Sequence, residues 1–494
     1  MTAVLAVDQG TTGSTALVVA ADGRLLGRGY REFTQHFPAP GEVEHDADEI
    51  FRVTVEAARE AIRQAGVVPA ALGITNQRET VCVWERDTGR PIHRAIVWQD
   101  RRTTARCAQL AKHGKATLVR QRTGLVLDPY FSATKIEWLL QNVPGLRRRA
   151  EAGEAVFGTV DAWLLFRLTN GKVFATDHTN ASRTMLYDIG RRAWDDDLLA
   201  LFDVPGGALP EVRASSGVFG VSEAQHLGSE MAIAGIAGDQ QAALFGQGCW
   251  EPGQVKNTYG TGAFLLLNTG ARRADSKGGL LTTLACGARG EPVFALEGSV
   301  FIAGAAIQWL RDGLQVIGHA GESERLAGDV PDTGGVYFVP AFVGLGAPHW
   351  EPNARGTIVG LTRGTRRAHL VRAALEAMAF STKEVLDAML ADAKLPLAAL
   401  QVDGGAAAND WLMQFQADVL GVPLARPDLV ETTALGAAGL AGLGAGLWKT
   451  GQGFLAGRTF KRFLPGDQSR AVRAREADWR RAVDTALYWA KAPS

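Results

Sequence analysis

Cysteine is scarce in this chain: four residues in 494, at Cys82, Cys107, Cys249 and Cys286. They lie far apart and form no CxxC pair, which argues against a thiolate metal cluster and points to reduced, buried thiols in a cytoplasmic protein. Net charge is absent too, with 52 basic residues against 52 acidic ones. Without a basic excess there is no electrostatic case for nucleic acid or an anionic membrane as partner. No hydrophobic run is long enough to suggest a stable membrane span. The longest uncharged stretch near the C-terminus, "TTALGAAGLAGLGAGLW", is short and rich in glycine and alanine, and reads as a buried helix in close contact with its neighbours. The opening "MTAVLAVDQG" has no basic n-region and meets an acid at Asp8, so it is not read as a signal peptide. The common phosphate motifs are missing as well: there is no GxxxxGK[ST], and no GxGxxG with its downstream acid.

What is present is a long, glycine-rich chain with 46% hydrophobic residues and 58 glycines. Its length exceeds the size at which one core stops growing, so two domains are expected. "VLAV" and "TALVVA" read as buried strands around "DQGTTG", and Asp22-Gly23 turns the chain into a third strand through Leu25 and Leu26. "HDADEIFRVTVEAAREAIRQAG" is an amphipathic helix, with Asp46 and Glu49 resembling a capping box and Gly66 as its stop. Strands and helices alternate onward, which predicts an α/β class. From about Gly253 the pattern begins again. "VKNTYGTGAFLLLNTG" is strand, glycine turn, strand, and "LQVDGGAAANDWLMQFQADVLG" is strand, glycine turn, helix. The expectation is two related α/β domains with a cleft between them, residues 1–250 and 251–494, and a helical appendage from about Lys449.

Three glycine turns follow apolar strands: "DQGTTG", "YGTGAF" and "DGGAAAN". Glycines admit a close phosphate and expose N–H groups to it, and the hydroxyls of Thr11, Thr12 and Thr261 add donors. One such turn is ordinary; three, spread over both halves, suggest nucleotide binding. Asp239 in "GIAGDQQAALFG" is a carboxylate in an otherwise small and apolar stretch, a costly placement unless it is compensated or used. Phosphoryl transfer would use it as the base for an attacking hydroxyl. Asp8, in the first turn, would face Mg²⁺ with Asp239. Arg78 beside Glu79 reads either as a surface ion pair or as a donor and acceptor for neighbouring hydroxyls of a small ligand. Trp98 and Tyr130, taken alone, read as core aromatics.

Together these residues resemble the FGGY carbohydrate kinases, and within them the glycerol kinases. The likeness runs over nearly the whole chain, through "DQGTTGS", "GITNQRET", "AIVWQDRR", "TGLVLDPYFSATK", "TNASRTML", "AGDQQAALFGQ", "KNTYGTG", "PAFVGLGAPHW" and "VDGGAAAN". The resemblance implies two ribonuclease-H-like domains, as in actin and sugar kinases, with the active site in the cleft. It implies ATP and glycerol as substrates, Mg²⁺ as cofactor, and a homodimer or homotetramer. Glycerol would be held by Arg78, Glu79, Tyr130, Asp239 and Gln240, with Trp98 and Phe264 along its carbon face. Nucleotide contacts map to Thr11, Thr12, Gly13, Thr15, Thr261, Gly304, Gln308, Gly405 and Asn409.

The sequence departs from the family pattern at two places. Gly13 and Thr15 stand where the family often has serine and arginine. "SEAQHLGSEMAI" lacks the loop with which some members bind fructose 1,6-bisphosphate, so that inhibition is not expected. His226 lies near the place of a phosphorylated histidine of other members, in a shifted context, and reads as a surface histidine without a role. Two other readings stay open. One is an FGGY kinase for another polyol or ketose. The other is a nucleotide-driven clamp like actin or a chaperone ATPase domain, against which "AGDQQ", "NQRET" and Trp98 argue.

Overall fold

The computed structural model describes residues 2–429 and 431–491. Two large mixed sheets organise the chain, and they repeat one strand order. In the first, Leu25–Glu32, Gly13–Ala20 and Ala3–Gln9 run antiparallel to their neighbours, and Ala71–Asn76 and Met231–Gly238 then extend the sheet parallel to Ala3–Gln9. In the second, Pro292–Val300, Ala263–Gly270 and Val255–Tyr259 are antiparallel, and Leu400–Asp403 and Leu424–Pro427 continue parallel to Val255–Tyr259. The second opening of the pattern expected from about Gly253 is therefore a repeat of topology.

The local signals act as their chemistry dictates. Helix Ala47–Ala65 begins at Asp46, whose carboxylate accepts from the N–H groups of Asp48 and Glu49, and ends at Gly66 in the left-handed region. The capping box is not completed, because the Glu49 carboxylate instead accepts from the Thr34 hydroxyl and N–H and from Arg52. The first glycine turn is shorter than expected. Asp8 and Gln9 still belong to strand Ala3–Gln9, while Gly13 and Thr15 belong to strand Gly13–Ala20, leaving Gly10–Thr12 as the turn. Serine is sterically excluded at Gly13 as packed: a Cβ there would lie 2.7 Å from the Arg31 carbonyl and 2.8 Å from the Tyr30 ring.

The glycine- and alanine-rich stretch forms helix Thr432–Gly444, buried nearly throughout. It comes from the second half of the chain but lies on the first sheet, where Ala434, Leu435, Ala437, Ala438, Leu440 and Ala441 share a core with Val4, Ala6, Leu17, Val19 and Ala71. Its small residues are explained by approach distance. A Cβ on Gly73 would meet the Ala437 carbonyl at 2.2 Å, and one on Gly436 would meet the Ala242 carbonyl at 1.8 Å.

The tail from Lys449 is more than a helical appendage. Phe460–Phe463 joins the second sheet as its edge strand, antiparallel to Leu424–Pro427, and helix Glu476–Lys491 buries Trp479, Ala482, Val483 and Ala486. Four residues of Phe-Lys-Arg-Phe carry too little periodicity to announce a strand. Half-buried His226 packs edge-on against Phe51 and bonds Asn170 through Nε2 at 2.9 Å, a structural arrangement. Among the described residues no helix is long and apolar enough to cross a membrane.

Candidate active site

Three neighbouring parallel strands, Ala3–Gln9, Ala71–Asn76 and Met231–Gly238, end in register, with Gln9 and Gly238 both opposite Asn76. Open α/β sheets bind ligands at such carboxyl ends. Here the ends deliver Asp8, the Gly10–Thr12 turn, the Arg78-Glu79 pair and Asp239 to one place. Glu79 has φ of 62°, a region sparsely used by non-glycine residues and often found at functional sites.

Arg78 and Glu79 are not a surface pair; both are almost fully buried. They belong to a closed ring of four charges. Arg78 Nη1 donates to Glu297 Oε2 at 2.5 Å, Glu297 Oε1 accepts from Arg183 Nη2 at 2.8 Å, and Arg183 Nε donates to Glu79 Oε1 at 2.6 Å. Glu79 Oε1 lies 3.8 Å from Arg78 Nε, which closes the ring. Two guanidiniums face two carboxyls, which is how such groups survive burial; burial still pushes the Glu79 carboxyl up, against the pull of Arg183 and Arg78. Burial alone would push the Glu297 carboxyl up, but Arg183 and Arg78 prevail and hold it down at about 2. Glu297 and Arg183 had no assigned role in the sequence reading. The available signal was the one used for Asp239, an acid inside an apolar strand, in "VFALEGSV".

Asp239 hangs from this ring and points outward. Its Oδ1 is 3.0 Å from Arg78 Nε, and its side chain is 32% exposed where Arg78 is only 3%. It opens helix Asp239–Gly246. Gly238 before it leaves room for Arg78, since a Cβ there would lie 2.8 Å from both Cγ and Cδ of that side chain. Trp98 and Tyr130, both half-buried, meet edge to face with centroids 5.5 Å apart. The Tyr130 hydroxyl accepts from Arg78 Nη2 at 3.5 Å, and Trp98 Nε1 donates to Thr11 Oγ1 at 3.0 Å, so neither is plain core.

The second sheet supplies the facing wall through its register. Lys256, Leu266 and Glu297 stand opposite one another on three adjacent strands, as do Thr258, Phe264 and Ser299 in the next row. Directly opposed residues of antiparallel strands, and residues two apart on one strand, project to one face. That single face therefore carries Lys256, Phe264 and Glu297. Lys256 Nζ bonds the Gln240 side-chain oxygen and Thr258 Oγ1. Burial pulls the Lys256 ammonium down to about 8, against the opposing charges of Asp403 and Asp239.

Asp8 is half-buried, and among the described residues none donates a hydrogen bond to its carboxylate. Burial and then the charge of Asp239 push it up to about 7. A divalent cation between the two carboxylates would relieve both effects, so these residues fit Mg²⁺. No group of three or more His, Cys, Asp or Glu side chains placed to hold a metal occurs among the described residues. Phosphate oxygens and water would therefore have to complete the coordination, which is the usual Mg²⁺ arrangement.

Thr261, Gly304, Gln308, Gly405 and Asn409 line one cavity of about 500 Å³ in the C-terminal domain, with Ile307, Ser323 and Ala406. It lies at the carboxyl ends of Val255–Tyr259 and Leu400–Asp403. The turn after the first strand is stitched to helix Gly304–Asp312 by hydrogen bonds from Ala303 N to the Thr261 carbonyl, 2.8 Å, and Gly304 N to the Gly260 carbonyl, 3.0 Å. Asn409 caps helix Asp410–Leu420 through the Leu412 N–H, 2.9 Å, and reaches Ser323 at 3.3 Å. Thr11, Thr12, Gly13 and Thr15 do not line this cavity; they stand at the N-terminal domain's strand ends, beside Trp98 and Asp8.

Known proteins show the same construction. Residues 3–246 match the N-terminal domain of the FGGY family of carbohydrate kinases, and residues 255–445 match the C-terminal domain. The chain is 53% identical over 492 residues to glycerol kinase 2 of Thermotoga maritima, covering 99% of both chains. It is 56% identical over 492 residues to a glycerol kinase of Halorhodospira halophila, covering 98% of this chain and 97% of the other. The fold superposes on the crystal structure of Plasmodium falciparum glycerol kinase with ADP at a TM-score of 0.93 and 35% identity, over 99% of this chain and 98% of that one. A repeated strand order, a charged crevice at the strand ends and full-length likeness to both family domains lead to one conclusion: the chain belongs to the FGGY family of carbohydrate kinases, two α/β domains of actin and sugar-kinase type about a cleft.

Proposed function

We propose that the protein transfers the γ-phosphoryl group of ATP to a terminal hydroxyl of glycerol, giving sn-glycerol 3-phosphate and ADP. The observation that carries this reading is the Asp239 carboxylate, partly exposed and 3.0 Å from buried Arg78, which in turn donates to Tyr130 of the Trp98–Tyr130 aromatic corner. A short polyol needs an acceptor and a donor for neighbouring hydroxyls and an apolar wall for its carbons. Glu79, Arg78, Tyr130 and Gln240 supply the first, and Trp98 and Phe264 the second. The likeness to glycerol kinases over nearly the full length supports the choice of acceptor.

In the step itself Asp239 accepts the hydroxyl proton while the oxygen attacks the γ-phosphorus. The bond to the β–γ bridging oxygen breaks and ADP departs with that electron pair. Arg78 holds Asp239 and the acceptor in line, and closure of the cleft excludes water. The 500 Å³ cavity lined by Thr261, Gly304, Gln308, Gly405 and Asn409 would take the nucleotide, with its phosphates directed toward Thr11, Thr12, Gly13 and Thr15. Asp8 and Asp239 would hold Mg²⁺, which supplies neutralisation of the β- and γ-phosphate oxygens. Division of the chain at about residue 250, cytoplasmic residence and assembly as a homodimer or homotetramer belong to the same reading through the family resemblance.

Coupled ADP release with Mg²⁺ and ATP, across glycerol, dihydroxyacetone, erythritol, xylulose and no acceptor, tests the proposal. Glycerol should give by far the highest kcat/KM. A preference for xylulose would move the activity to another branch of the family, and rapid turnover without acceptor would mean a nucleotide-driven clamp.

A further inference from the structure

We propose that Glu297, together with Arg183, is a positioning residue: strand Pro292–Val300 of the C-terminal domain reaches across the floor of the cleft and fixes Arg78 and Glu79 of the N-terminal domain in their substrate-facing geometry. The inference rests on the reading of Arg78 and Glu79 as acceptor contacts. Glu297 is the only carboxylate of the second sheet in the four-charge ring. It bonds Arg78 at 2.5 Å with one oxygen and Arg183 at 2.8 Å with the other. Arg183 passes the constraint on, donating to Glu79 at 2.6 Å while its guanidinium stands 5.2 Å from the Phe131 ring centroid. All four side chains are within 4% of complete burial.

Stability alone does not account for this construction. Buried ion pairs are weak contributors to stability, and apolar residues of similar volume often do as well or better. What the ring supplies is orientation. Arg78 is held from two sides: Nη1 meets Glu297 at 2.5 Å, while Nε meets Asp239 at 3.0 Å and lies 3.8 Å from Glu79. Remove Glu297, and only the acids at Nε still pull on the guanidinium, drawing it toward Asp239 and the space of an acceptor hydroxyl. Arg183, losing the same partner, would keep only Glu79; its Nη1 already lacks a hydrogen-bond partner. The contact also crosses between the domains. Gln241 Nε2 to the Leu284 carbonyl, 3.1 Å, and Lys256 to Gln240 cross beside it. The acceptor pocket is thus complete only when the second sheet is seated against the first.

The test is a pair of variants, Glu297→Gln and Glu297→Asp. The first removes the charge at nearly constant shape. The second keeps the charge but is one methylene too short to reach both guanidiniums, and it serves if the first does not fold. In a variant with near-native melting temperature, KM for glycerol should rise tenfold or more, kcat should fall by less than KM rises, and the calorimetric Kd for ADP should be unchanged. An unchanged KM for glycerol in a folded variant overturns the inference. So does a parallel loss of ADP and glycerol affinity, which would mark a merely structural role. If the wild-type protein prefers another acceptor, the assignment of glycerol fails by itself, and the KM for the preferred acceptor then decides about Glu297 by the same criterion.

Discussion

Asp239 is anchored at one oxygen and reachable by solvent, a combination its neighbours in the ring do not have. Replacement by asparagine keeps the shape and the helix start but removes the carboxylate proposed as the base. General bases typically contribute a factor of about 10² to 10⁴. Asp239→Asn is therefore expected to lower kcat by that order while glycerol binding, measured by calorimetry, stays within several-fold. Near-normal turnover would remove Asp239 as the base. By contrast Glu79, Arg183 and Glu297 are buried and bonded to one another, which suits orientation and not proton transfer.

At the scale of elements, the contact between helix Thr432–Gly444 and helix Asp239–Gly246 sets where Asp239 stands. The two helices touch through small residues, and at Gly436 the backbone of one meets the backbone of the other. Gly436→Ala has no space for its methyl group, because the obstacle is the Ala242 carbonyl and not a side chain that could turn away. Forced overpacking of this kind costs roughly 1–3 kcal/mol. A lowered melting temperature is expected, with a fall in kcat beyond what the unfolded fraction explains, because the displaced helix begins at Asp239. A variant with unchanged stability and kcat would mean that the helices can separate freely.

Across the whole molecule, chain order and domain do not coincide. The first sheet buries one face under a helix contributed by residues 432–444, with Trp448 and Phe454 in the same core. A fragment ending at residue 250 would expose Val4, Ala6, Leu17, Val19 and Ala71 to water. Each buried aliphatic side chain of valine or leucine size is worth about 1.5–3 kcal/mol. Residues 1–250 expressed alone should therefore be insoluble or unfolded by circular dichroism. A cooperative thermal transition from that fragment would show that the first sheet does not need its distant cover.

Much of this was legible in the residues because it depends on near neighbours. Asp46 and Gly66 bound a helix, Asn409 caps another, and glycine turns follow buried strands, all through interactions within a few positions of the chain. Asp239 was legible as an acid without local compensation, and the motif likeness assigned Arg78, Glu79, Trp98 and Tyr130 to one pocket. Only the tertiary structure decided what compensates them. Glu297 lies 219 positions from Arg78 and 114 from Arg183, and their pairing depends on how two separate sheets seat against each other. The partner of the apolar Thr432–Gly444 helix, the edge strand Phe460–Phe463 and the shortened first turn were decided the same way. Local propensity and periodicity reach across one turn of helix or one pair of residues in a strand; charge neutrality in a buried ring, and the face that a helix covers, are properties of surfaces that meet only after folding.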